Sequence, residues 1–210
     1  MRGTALPPMD TGVVWTLGTT AEVTWQISNN HGGGYSYRLC PFEQNLTEAC
    51  FQTHPLEFVE TEQCIVTRDG ALHPVANPVF VSGADLVHPS NSHWSMIPIP
   101  STILGPLCLP GPNDTDATPF HCSPNETHSE PCRPCPGTPG SDCSRCDNSA
   151  VPSFPAPMSG ALGNSHSHGI RDIVKVPSDL PPGKYVLGFR YDCEATAQVW
   201  SSCSDITLVR

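Results

Sequence analysis

The sequence lacks any long apolar run, and it carries few charged side chains. No stretch approaches the roughly 20 apolar residues that a membrane-spanning helix needs, so we expect no membrane partner. Only 14% of the 210 residues are charged, with 10 Lys+Arg against 20 Asp+Glu. The basic residues form no cluster that would neutralise phosphates, which argues against a nucleic-acid partner. A chain of 210 residues suits one domain, and we predict a single domain over residues 1–210.

Signatures of several enzyme classes are also missing. The chain has no Gly-x-Ser-x-Gly turn that would present a serine nucleophile. The three glycines at 32–34 are not followed by the helix that a phosphate-binding loop requires. No segment shows the sustained apolar spacing of an amphipathic helix. The sequence therefore favours neither nucleophilic catalysis nor nucleotide binding.

Cysteine and proline are abundant instead, at 11 and 24 residues. So many cysteines in a chain of this size indicate an oxidising compartment and a disulfide framework. Acceptor sequences for N-glycosylation at Asn45, Asn113 and Asn125 fit the same environment. We therefore predict an extracellular, secreted glycoprotein. Residues 1–20 contain no signal peptide and the cysteine count is odd, so we expect a native N-terminal segment ahead of this chain.

Alternation of apolar and polar residues with a period of two recurs along the chain. This pattern predicts half-buried antiparallel strands, separated by turns rich in glycine and proline. It is clearest in residues 23–28, 35–39, 169–177, 185–191 and 206–208. Strands without helices predict an all-β protein, and we expect a β-sandwich.

Residues 106–157 differ in composition from the rest of the chain. They hold 12 of the 24 prolines and 6 of the 11 cysteines, but only two aromatic residues, Phe120 and Phe154. A segment so poor in large apolar side chains cannot build a core of its own. We interpret residues 111–167 as a long Pro/Cys-rich loop insertion between an N-terminal and a C-terminal group of strands.

Two cysteine pairs each bracket a short loop between strand-like segments. Because closing a short loop costs little entropy, we predict the disulfides Cys40–Cys50 and Cys193–Cys203. The two Cys-x-x-Cys units within 132–146 would form either disulfides or a tetrahedral zinc site. Their spacer is shorter than is usual for zinc, and the oxidising composition favours disulfides.

One of the nine histidines is distinguished by its position. His31 follows an alternating strand and precedes three glycines, where a backbone can approach a partner closely. A solvated turn histidine is the alternative interpretation. Trp200, taken by itself, is more typical of a core aromatic. His166 and His168 would suit metal chelation, with solvated loop histidines as the alternative.

Several of these segments together resemble the chitin-binding type-4 domain, the family of lytic polysaccharide monooxygenases, and especially its arthropod, algal and oomycete members. The matching stretches include VTWQISNNH at 23–31, YSYRLCP at 35–41, LTEACF at 46–51, WSMIPIP at 94–100, DIVKVP at 172–177 and YVLGFRYDCE at 185–194. The likeness covers most of residues 13–110 and 169–210 and leaves the insertion unmatched. It implies an immunoglobulin-like antiparallel β-sandwich.

The family presents one copper ion on a flat face, held by the amine and imidazole of an N-terminal histidine and by a second imidazole. The resemblance implies that His31 is the second brace histidine and that Trp200 occupies the axial position. Gln198 matches a second-sphere catalytic glutamine. The implied reaction is oxidation of a glycosidic C–H bond in chitin, cellulose or a related insoluble polysaccharide.

This chain departs from the family pattern at its start. It begins Met1-Arg2-Gly3, without the histidine that supplies two of the three brace nitrogens. We therefore expect one copper ion only if an N-terminal histidine is restored, and no oxidative activity from residues 1–210 as they stand. Two functions stay open: a copper-dependent lytic polysaccharide monooxygenase, and a non-catalytic glycan-binding or cell-wall-associated module on the same fold.

Overall fold

The structure is a computed structural model that describes residues 7–27, 30–84, 86–99, 168–193 and 197–210. The predicted insertion at 111–167 lies outside these described residues. The strands are β1 (Val14–Thr16), β2 (Thr20–Gln26), β3 (Gly34–Pro41), β4 (Glu57–Phe58), β5 (Cys64–Thr67), β6 (Leu72–Pro74), β7 (Phe80–Ser82), β8 (His93–Met96), β9 (His168–Lys175), β10 (Gly183–Asp192) and β11 (Val199–Val209). A one-turn helix, α1 (Glu48–Phe51), follows β3, and a 3-10 turn spans Glu60–Glu62. Neither helix, nor any other in the described ranges, has the length and apolar content to cross a membrane.

Two sheets pack face to face, and the prediction of an all-β sandwich is confirmed. The first sheet has the strand order β1-β11-β10-β3-β8-β7, and the second has the order β2-β9-β5-β6 with β4 also paired to β9. Both sheets combine strands from before and after the predicted insertion. The pairings are antiparallel except at one edge of the first sheet, where β1 runs parallel to β11.

The alternating residues predicted from the sequence form the buried face of each sheet. In β3 the inward residues are Tyr35, Tyr37 and Leu39, which are at most 3% exposed. In β10 the inward Tyr185 and Tyr191 are 3% and 4% exposed. These residues meet Val23, Ile170 and Val174 of the second sheet in one hydrophobic cluster. Burial of this apolar area is the main driving force for the sandwich.

The outer face of the first sheet carries a second, smaller cluster beneath α1. It contains Cys40, Cys50, Phe51 and Val186. The predicted disulfide Cys40–Cys50 is present and ties the helix to β3. Gly188 lies under the helix, where a Cβ atom would come within 2.8 Å of the Phe51 ring. Glycine at this position therefore allows α1 to approach the sheet closely.

The predicted disulfide Cys193–Cys203 is wrong in this structure, which leaves both thiols free. The β10–β11 hairpin explains why. Cys193 lies beside Gln198 at the end of the hairpin, whereas Cys203 pairs with Gly188. The two cysteines are therefore offset by five positions along the ladder (203 − 198), or about 16 Å. A disulfide needs Cα atoms closer than about 7 Å.

Candidate functional site at one end of the sandwich

The predicted site residues of the resemblance gather at one end of the sandwich. Strands β2 and β10 end there, and β3 and β11 begin there. His31 lies in the connection between β2 and β3, and Trp200 lies at the start of β11. Antiparallel pairing brings these chain ends to the same edge, although the residues are far apart in sequence.

The loop that carries His31 is held by its neighbours. The Asn30 side chain is fully buried, and its Nδ2 donates to the Ile99 carbonyl oxygen at 2.8 Å. Its Oδ1 accepts from the Gly32 backbone N–H at 3.1 Å, which forms an Asx turn. Gly32 and Gly33 have positive φ angles of 65° and 88°, a conformation that favours glycine. The loop therefore holds His31 in one place by backbone geometry.

Tyr191 connects His31 to Trp200. The His31 backbone N–H donates to the Tyr191 hydroxyl at 2.9 Å. Tyr191 pairs with Tyr35 on one side of its strand and with Trp200 on the other. Trp25 stacks on this row from the second sheet, with its ring centroid 6.0 Å from that of Tyr191. Tyr191 thus contacts the His31 backbone through its hydroxyl and pairs with Trp200 along the sheet.

The side chains of this end differ in their exposure. Trp200 is 43% exposed, although its pairing partner Tyr191 is only 4% exposed. Gln198 is also exposed, and its carbonyl oxygen accepts from the Cys193 backbone N–H at 3.1 Å, which closes the hairpin. His31 is half-buried, and its Nδ1 atom is inaccessible to solvent and has no hydrogen-bond partner among the described residues. The interpretation of Trp200 as an ordinary core aromatic is therefore wrong.

A complete copper brace does not fit the described residues. Three nitrogen donors are needed, and His31 supplies one imidazole. The described ranges contain no group of three or more His, Cys, Asp or Glu side chains placed to hold a metal ion. The indole of Trp200 is a hydrogen-bond donor without a lone pair to offer a metal. Further nitrogen donors would have to come from outside the described part of the chain.

A buried polar network lies behind this end and joins the two sheets. Asp172 of β9 is 1% exposed and accepts hydrogen bonds from the hydroxyls of Tyr35 and Tyr37, each at 3.0 Å to Oδ2. The amide Nε2 of Gln63 donates to Asp172 Oδ1 at 2.9 Å. Burial raises the pKa of Asp172 to about 6, despite these donors. Burial and the nearby carboxylate likewise raise the pKa of Tyr35 well above its ordinary value.

The other predicted site residues lie elsewhere. Asn45 is exposed in the connection between β3 and α1. Asn113 and Asn125 fall outside the described residues, as does the Cys-x-x-Cys segment. His168 begins β9 and is 8% exposed, so it is not a solvated loop residue.

Sequence reasoning missed the two residues that position His31. Asn30 precedes Gly32 by two positions, a spacing typical of an Asx turn, and this signal was available in the sequence. Tyr191 was assigned only to the inward face of its strand. Its hydroxyl reaches the His31 loop across the fold, and no local pattern indicates that contact.

Comparisons with known proteins add little to this geometry. No protein-family model matches the chain, and no curated protein matches it. One similar solved structure is a family 123 glycoside hydrolase from Clostridium perfringens, studied for the hydrolysis of glycolipid glycans. The similarity covers 94% of this chain but only 23% of the hydrolase, at 9% sequence identity and a TM-score of 0.25. A likeness this weak carries no argument about fold or function.

Proposed function

We propose that this is a secreted polysaccharide-active protein that contacts an insoluble glycan with the end of the sandwich that carries His31, Gln198 and Trp200. The observation that carries the proposal is the exposure of Trp200, at 43%, beside the anchored His31 loop. Tryptophan is enriched at interfaces, where its ring offers a large apolar contact and its indole N–H a hydrogen bond. Chitin, cellulose or a related glycan is the ligand class that the sequence resemblance implies.

The polar groups that follow Trp200 on β11 are uncharged, and the charges beside them on β10, Arg190 and Asp192, pair with each other. Ser201 and Ser202 follow Trp200 on β11, both exposed and both uncharged. Hydroxyl and amide groups beside an aromatic ring suit a polyhydroxylated chain, which offers both hydrogen-bonding groups and apolar C–H faces. A formal net charge of −10 gives no attraction for an anionic polymer.

Secretion is the part of the proposal that the disulfide supports. The Cys40–Cys50 bridge requires an oxidising compartment to persist. Asn45, whose acceptor sequence for N-glycosylation fits the same environment, is exposed in the connection between β3 and α1.

Trp200→Ala is expected to weaken binding to insoluble chitin or cellulose by about tenfold, because buried tryptophans at interfaces typically contribute this much or more. The change should leave the melting temperature nearly unchanged, since the side chain is already exposed. Sedimentation assays with both polysaccharides measure the binding. Leu72→Ala is the matched control, because Leu72 is an apolar residue that is 51% exposed on the other sheet. Equal binding by the Trp200 variant and the wild type would contradict the proposal.

Oxidation of the bound glycan is the second candidate, favoured by the buried and unpartnered Nδ1 of His31. We expect residues 1–210 to bind Cu(II) weakly and without defined stoichiometry, because one imidazole is a poor chelator of copper. A version extended so that it begins with a free histidine should bind one copper tightly. His31→Ala in that version should abolish tight binding, as measured by calorimetry. If the extended protein binds copper no more tightly than residues 1–210, or if His31→Ala does not weaken its copper binding, the glycan-binding module without catalysis is the better account.

A further inference from the structure

A second feature of the molecule is a cleft at the open side of the sandwich, away from the His31 end. It lies between β4 and the end of β9 in one sheet and the end of β7 and the start of β8 in the other. Its volume is about 520 Å³, which is within the usual range for small-molecule sites. Phe58 and Val59 give the cleft an apolar part, and the Phe58 ring packs against Phe80 with a centroid separation of 5.2 Å.

Two hydrogen bonds fix the orientation of the His93 ring in the cleft and determine which ring nitrogen donates. Its Nδ1 accepts from the Phe58 backbone N–H at 3.1 Å, so the ring proton is on Nε2. The Nε2 atom lies 3.2 Å from Oε1 of Glu60, and the His93 side chain is only 13% exposed. The Glu60 carboxylate therefore accepts a hydrogen bond from the His93 ring, and it also lies close enough to the Lys175 ammonium to help raise the pKa of that lysine.

The other two charged groups of the cleft form an ion pair. Lys175 Nζ lies 2.8 Å from Glu57 Oε2. This hydrogen bond lowers the pKa of Glu57 and raises the pKa of Lys175, so both are ionised at neutral pH. Among the described lining residues, two carboxylates and one ammonium leave an excess of one negative charge, shared by Glu57 and Glu60 around Lys175.

Several hydrogen-bonding side chains in the wall of the cleft have no hydrogen-bond partner among the described residues. The side chains of Ser82, Ser90 and Asn91 line the cleft and make no side-chain hydrogen bond to another described residue. Each can both donate and accept. Such groups suit a ligand with several hydroxyls, because every hydroxyl can meet either a donor or an acceptor.

We infer that this cleft binds a monosaccharide-sized ligand that carries several hydroxyl groups and one primary ammonium group. The ammonium meets the carboxylate of Glu60, and the hydroxyls meet Asn91 and the serines. An anionic sugar acid is disfavoured by the negative charge of the site. A neutral sugar makes the same hydroxyl contacts and can donate a hydroxyl to Glu60, but it lacks the charge attraction that an ammonium adds. The inference does not depend on the glycan surface proposed at the other end.

The test compares three pyranose sugars that differ mainly in charge: D-glucosamine, D-glucose and D-glucuronate. Each is titrated into the full chain, and backbone amide shifts of Glu60, Asn91 and His93 are followed by NMR. We expect saturable shifts with glucosamine and about two- to fivefold weaker binding of the other two, the effect of one exposed ion pair. Glu60→Gln should lower the affinity for glucosamine to that for glucose.

Glu62→Gln is the matched control, since Glu62 belongs to the same 3-10 turn but does not line the cleft. It should leave the affinity for glucosamine unchanged. Glucose binding as tightly as glucosamine would overturn the inference. So would an equal effect of the two glutamate changes, which would show a general charge effect, or shifts confined to residues outside the cleft.

Discussion

The wild type is expected to lose about 3 kcal/mol of stability as the pH rises, and Asp172→Asn is expected to abolish this loss. Burial raises the pKa of Asp172 to about 6 in the folded protein, against an ordinary value near 3.9 in an unfolded chain. A difference of about two pH units corresponds to about 3 kcal/mol between the two protonation states. The folded protein therefore favours the protonated carboxyl.

The direction of the pH dependence follows from the difference between the folded and unfolded pKa values of Asp172. Because the folded pKa lies above the unfolded pKa, the contribution of Asp172 to stability is fully present below about pH 4. It is lost as the pH rises through about 6. Asparagine has no proton to lose and keeps one oxygen that accepts from Tyr35 and Tyr37. Its amide can donate to Gln63 Oε1, which is buried without a partner, after a rotation of the Gln63 amide.

Chemical denaturation between pH 4.5 and 8 measures the effect as the difference between wild type and variant. The free energy of unfolding of the wild type should fall relative to Asp172→Asn by most of the 3 kcal/mol over this range. Asp179→Asn is the control, because Asp179 is exposed and the variant should follow the wild type. Parallel curves for the wild type and Asp172→Asn would show that the buried carboxyl does not titrate in this range.

Asp172 also illustrates what the sequence could predict. Its neighbours Ile170 and Val174 alternate with it in β9, so the period of two places Asp172 on the inward face. A carboxylate at a core position predicts buried hydrogen-bond partners. The partners themselves come from β3 and from the residue before β5, and local patterning does not reveal which elements face one another.

Long strands were predictable, and short ones were not. The strands β2, β3, β9 and β10 have seven residues or more, and alternation over five residues or more predicts each of them. In β11, which has 11 residues, alternation was clear only at 206–208. The strands β4 to β8 have two to four residues each. Strands this short carry no readable period, so the cleft that they form could not be predicted.

The two disulfide predictions rested on the same argument and had opposite outcomes. Cys40 and Cys50 are joined through a helical turn that folds back on β3. Cys193 and Cys203 lie instead on a hairpin whose strands pair over ten residues, from Val199 to Leu208 on β11. Sequence separation does not reveal register, and in a hairpin register decides which residues meet.

Removal of the Cys40–Cys50 disulfide is expected to lower the free energy of unfolding by about 3 kcal/mol. The bridge closes a loop with a sequence separation of 10 residues, for which the loss of chain entropy in the unfolded state gives this value. The double variant Cys40→Ala/Cys50→Ala tests it by urea denaturation. Cys203→Ala is the control, because Cys203 is exposed and free, and its change should stay within about 0.5 kcal/mol.

The double variant should also show where the disulfide acts. Phe51 of α1 covers Gly188, and Val186 packs in the same small cluster on β10. Hydrogen exchange should therefore speed up first at the α1 amides, while the amides of Tyr191 and Trp200, which belong to the β10–β11 ladder, stay protected. Loss of protection at α1 and in the ladder together would instead mean that the bridge stabilises the whole sheet. In that case binding of the glycan at the His31 end would depend on a disulfide on the outer face of the first sheet.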